Sequence, residues 1–156
     1  MRKSDVNANL STLAFDFFYW FSRFEFALKE NGYLKSRKVG AKAEAGWDAF
    51  IKERHAQYTA STEANALLAA PPKRQIISPN NELCWEAVVL DDGKSELAKI
   101  VHLLKIVRNN LFHGGKHGDA DWDNPARTMF LVSSGIAILN QLAQLGLFEA
   151  DYTRLY

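Results

Sequence analysis

The sequence predicts an all-α protein: a four-to-five-helix up-and-down bundle, with an irregular segment or small hairpin inserted before the third main helix. Two observations carry that expectation. Apolar residues recur at helical spacing in four long stretches. Helix-ending signals, Asn31-Gly32, Pro71-Pro72 and Gly146, separate or close them, and no internal repeat competes with a bundle.

The first stretch, residues 9 to 31, places Leu13, Phe17, Trp20, Phe21, Phe24 and Leu28 on one helical face. Phe15, Phe18, Tyr19 and Phe26 make most of the remainder apolar, so this helix needs more than one partner. The connector KSRKVGAK follows, with Lys35, Arg37, Lys38 and Lys42. It reads as a solvated basic loop, with a nucleic-acid contact as the alternative. From about Ala41 to Ala70 the chain is rich in Ala, Glu and Lys, with Trp47, Phe50, Ile51, Arg54 and Tyr58 on one stripe. That predicts a second helix, with a break allowed near Thr59 to Thr62.

Residues 73 to 93 hold turn signals, Pro79, Asn80-Asn81 and Asp91-Asp92-Gly93, around the β-prone pieces Gln75 to Ser78 and Leu83 to Leu90. An irregular excursion or a hairpin fits. A third helix is expected from about Ser95 to Phe112, then the loop GGKHGDADWD. Asn124-Pro125 supplies an N-cap and a first-turn proline for a fourth helix ending at Gly146.

Composition bounds function without naming it. At 156 residues, 47% hydrophobic and 24% charged, the chain reads as a single folded domain over residues 1 to 156 rather than a disordered or fibrous one. A net charge of +1 leaves any grip on nucleic acid to a local patch. The single cysteine, Cys84, excludes an intramolecular disulfide and a cysteine-based zinc site, and it reads best as a small buried hydrophobe. The apolar N-terminal run is interrupted by Asp16, Arg23 and Glu25, so neither an export signal nor a membrane span is expected there, and a reducing cytoplasm fits.

The end of the third helix carries the chemistry. At roughly 100° per residue, Leu97, Ile100, Val101, Leu104 and Leu111 share one arc, and Arg108 falls in its middle. An arginine there must snorkel, meet a carboxylate or sit at an interface. His102, Asn109 and His113 line another face. Arg108 and His113, five apart, diverge by roughly 140° on a regular helix. They converge only if the chain bends, and Gly114-Gly115 allows the helix to end directly after His113.

The stretch Arg108-Asn109-Asn110-Leu111-Phe112-His113 resembles the Arg-polar-x-x-x-His signature of the HEPN superfamily, small all-helical proteins that include toxin and anti-phage ribonucleases. The resemblance implies a bundle of HEPN type and a homodimer whose two motifs face one cleft. It also implies metal-independent RNA cleavage without a cofactor, and a cognate antitoxin protein as a potential partner. It assigns the site to Arg108, Asn109 and His113. Histidine can move protons near neutral pH, arginine can stabilise charge on phosphorus, and the amide can orient either. Lys116, Lys35, Arg37 and Lys38 are the candidate RNA-binding cations. In some branches a tyrosine two positions after the histidine is a modification target; here that position is Gly115.

Structural readings stand beside these. Arg108 could form a buried ion pair with Asp16, Glu25 or Glu86, and His113 could be a histidine favoured by the helix C-terminus. His102 reads as solvated or structural. His113, His117, Asp119, Asp121 and Asp123 suggest a metal loop, but Asn124 replaces the glycine and Phe130 the final glutamate of a calcium-binding EF-hand, so no metal is expected. Gly114-Gly115-Lys116 lacks the rest of a P-loop. The alternative function is a non-catalytic HEPN-like module that binds RNA, a nucleotide or a protein.

Overall fold

The computed structural model describes residues 8–112 and 124–154. Among them the chain is mostly helical, with six α-helices and one two-stranded sheet.

Helix α1, Ala8–Glu30, runs 23 residues without glycine or proline. It buries Leu10, Phe17, Phe21, Phe24, Ala27 and Leu28, a stripe at intervals of three, four and seven. It stops where predicted. Gly32 takes φ +77°, and the Tyr33 N–H reaches back 2.8 Å to the Leu28 carbonyl, satisfying an otherwise orphaned acceptor.

The basic connector is a closed loop. Leu34 bridges Ala45, and the Gly46 N–H donates to the Tyr33 carbonyl at 2.8 Å. A Cβ at Gly46 would lie 2.6 Å from the Leu34 carbonyl carbon, so only glycine permits this closure. The loop therefore occupies the beginning of the expected second helix, which starts later and is divided. Helix α2 spans Trp47–Arg54, a 3₁₀ turn follows at His55–Gln57, and α3 spans Thr62–Ala69. The Ser61 hydroxyl, accepting from the Ala64 N–H, caps the restart near the anticipated break.

Strands β1, Arg74–Ile77, and β2, Leu83–Glu86, form an antiparallel hairpin in which Arg74 faces Glu86 and Ile77 faces Leu83. Arg74 and Glu86 are paired at 2.7 Å. The hairpin is tied to helix α4, Glu96–Phe112, by Asn110, whose buried amide donates to the Lys73 carbonyl at 2.7 Å.

Helix α5, Pro125–Gly146, begins as expected, with the Asn124 side chain accepting from the Ala126 and Arg127 N–H groups. It packs against α1 and α3. It is long and apolar enough to cross a membrane, yet Leu131, Ile138, Leu139 and Leu142 are fully buried within the fold. Gly135 lets α1 close on it, since a Cβ there would lie 2.5 Å from Cε2 of Phe17. The final helix, α6, Glu149–Thr153, was not anticipated. At five residues it is held by tertiary contacts rather than propensity. Tyr152 stacks on Trp20 and donates its hydroxyl proton to Asn140, and Phe148 joins Phe24, Phe50 and Tyr33 in an aromatic core.

Candidate functional site

Helix α4 is buried along Leu97, Ile100, Val101, Leu103, Leu104, Ile106 and Val107, so its last two turns are held firmly against the core. Arg108 follows Val107 and is only partly buried. Its backbone direction is that of the apolar arc, but its long side chain carries the charge out, as snorkelling allows. The guanidinium carbon lies 5.9 Å from the Phe21 ring centre and 5.8 Å from that of Phe112. Its Nη1 donates to Asn109 Oδ1 at 3.1 Å. Among the described residues no carboxylate pairs with it, which removes the intramolecular ion pair considered above.

Glu25 lines the same cleft, and its Oε1 instead accepts from the Trp47 indole at 3.0 Å. The cleft has a volume of about 650 Å³ and brings together Arg108, Lys105, Lys29 and Lys35 from three parts of the chain. Lys105 Nζ sits 5.4 Å from the Trp47 ring centre, within cation–π range. Burial lowers its pKa, so this ammonium is poorly solvated and gains from an approaching anion. Lys35 is already engaged by Glu44 at 2.9 Å, and that carboxylate raises the Lys35 pKa through its hydrogen bond.

The candidate residues thus fall into groups. Arg108 and Asn109 touch, and Lys35 shares their cleft. Arg37 turns back to donate to the Gly32 carbonyl at 2.8 Å, over a different depression. Lys38 is exposed, with its backbone N–H on the Ser36 hydroxyl. His113 and Lys116 lie outside the described residues, as do His117, Asp119, Asp121 and Asp123. His102 is exposed, away from Arg108, and its pKa is lowered by burial of the ring and by the charges of Arg74 and Lys105. Among the described residues no three histidine, cysteine or acidic side chains gather as metal ligands would.

Lys105 and Trp47 escaped the sequence reading for different reasons. Lys105 lies three residues before Arg108, a spacing that would have revealed it as a neighbour. Trp47 and Lys29 reach the site only through tertiary packing, and the sequence carries no local sign of that.

Chemically, the arrangement offers a planar cation beside the exposed ring of Phe112 and a partly desolvated ammonium, a combination suited to a phosphodiester and its bases. No family model, curated protein or solved structure matches the chain.

Proposed function

We propose that the chain is a metal-independent endoribonuclease of HEPN type, built on the bundle that name implies and acting as a cytoplasmic homodimer in a toxin or phage-defence role. The observation that carries this reading is the state of Arg108. Its guanidinium meets aromatic rings and Asn109 and, among the described residues, no carboxylate, at a cation-lined cleft, five residues before His113. An arginine holding helices together through a buried ion pair would have its carboxylate partner within the fold.

In the proposed reaction a ribose 2′-oxygen attacks the adjacent phosphorus and the bond to the 5′-oxygen breaks. His113 of one copy takes the 2′-proton, and His113 of the other protonates the departing 5′-oxygen. Arg108 stabilises the charge that grows on the phosphoryl oxygens, and Asn109 holds the guanidinium in place. The products are a 2′,3′-cyclic phosphate and a 5′-hydroxyl.

Arg108→Ala and His113→Ala should each reduce cleavage of single-stranded RNA in EDTA by at least about 100-fold, the range for loss of a charge-stabilising or proton-transfer group. Full activity in the double variant would refute the assignment. RNA binding without cleavage by the wild-type protein would favour the alternative, a non-catalytic module using the same cleft.

A further inference from the structure

A second cleft opens on the other side of Lys105, between α2 and the first turns of α4, with a volume of about 720 Å³. That is the size range of small-molecule sites. Like the Arg108 cleft, it carries more cations than carboxylates. Lys52, Lys94, Lys99 and Lys105 line it against only Asp48 and Asp91, in a chain whose whole net charge is +1. Lys99 is committed to Asp92 at 3.6 Å, and Asp91 accepts from the Gly93 N–H at 2.9 Å. Lys52, Lys94 and Lys105 have no carboxylate at ion-pair distance among the described residues. Concentrating like charges without counter-charges costs energy that a bound anion would recover.

Two histidines add hydrogen-bonding capacity. His55 Nδ1 lies 3.2 Å from the Ile51 carbonyl and 3.0 Å from that of Lys52. Carbonyls only accept, so Nδ1 carries a proton and Nε2 is the nitrogen left for a ligand. His102, on α4, also lines the cleft. The opposite character is supplied by the part-exposed Ile51 and Leu90, which give the cleft an apolar side.

We infer that this cleft binds a phosphate-bearing small molecule of nucleotide size, its phosphate among Lys52, Lys94, Lys105 and the two histidines and its apolar body on Ile51 and Leu90. The site adjoins the Arg108 cleft, sharing Lys105 and Asp48 with it, but does not include Arg108 and does not depend on RNA cleavage.

The experiment is calorimetric titration of the full chain with AMP, adenosine and orthophosphate. AMP should bind with Kd below about 1 mM, and adenosine and orthophosphate each at least about tenfold more weakly, since each offers half of the complement. Lys52→Ala with Lys94→Ala, both exposed and so harmless to the fold, should weaken AMP about tenfold or more, while Arg108→Ala should leave it within about twofold. A structural signature accompanies binding. The charges that lower the His102 pKa are those of Arg74 on β1 and Lys105 on α4, while Lys99 on α4, Asp48, Lys52 and His55 around α2, and Asp91 and Lys94 in the loop line the same cleft. A bound phosphate offsets those positive charges, so the His102 imidazole should titrate at higher pH in AMP-saturated protein by NMR. No binding of AMP or orthophosphate up to about 5 mM would overturn the inference. So would AMP affinity unchanged in the double lysine variant, or lost on Arg108→Ala instead.

Discussion

Arg108 shows how far one side chain can depart from the direction of its own backbone. Its Cα belongs to the buried arc of α4, yet the guanidinium reaches the surface past Phe21 and Phe112. Leu147 poses the opposite problem, a backbone strained for the sake of the chain's direction. It closes α5 at φ +61° with its side chain 79% exposed, so it bears the left-handed penalty and gains little burial in return. Leu147→Gly removes a cost of about 1–2 kcal/mol and adds unfolded-state entropy of about 0.5–1 kcal/mol. A net gain of about 0.5–1 kcal/mol is expected in urea unfolding, and a loss would show that the Leu147 side chain packs in solution. The neighbouring asparagines mark the limit of reading residues singly. Asn109 was identifiable from its place after Arg108. That Asn110 is the buried one, spanning 37 positions to the Lys73 carbonyl, depends on where the hairpin lands and is invisible in the sequence.

Among elements, α1 and α5 make the most consequential pair, and Gly135 sets their separation. Gly135→Ala should raise helix propensity by about 1 kcal/mol. Against this, the new methyl would meet the ring of Phe17, which is fully buried and cannot swing aside, at a cost of about 1–3 kcal/mol. The clash wins. Net destabilisation of up to about 2 kcal/mol should appear as a lower urea midpoint, and a rise would mean that α1 can shift freely. The same pair explains which elements were legible. The ends of α1 and α5 were readable because Asn31-Gly32 and Asn124-Pro125 act within a turn or two of themselves. The start of α2 was not, because Ala41 to Ala45 would suit a helix until Leu34 claims Ala45 as a partner. Helix α6 was lost for a related reason: Phe148 and Tyr152 gain their stability from Phe24 and Trp20, far upstream.

At the scale of the whole molecule, α1 and the end of α4 expose large aromatic side chains on one side of Arg108. Phe15, Phe18 and Phe112 are 65%, 46% and 43% exposed, and the rings of Phe18 and Phe112 lie 5.0 Å apart. Adjacent aromatic exposure of this kind marks an interaction surface. The proposed dimer would cover it and bring two copies of Arg108 towards one seam. Light scattering at micromolar concentration should give twice the 17.6 kDa chain mass, and Phe15→Glu with Phe18→Glu should halve it. A wild-type monomer would count against the two-copy reaction. The Asn110 amide has a consequence of another kind. By fastening the hairpin to the turn that bears Arg108, it couples the two through a buried hydrogen bond worth about 1 kcal/mol. The base of the hairpin, at Lys73, is thus moored two residues from the arginine.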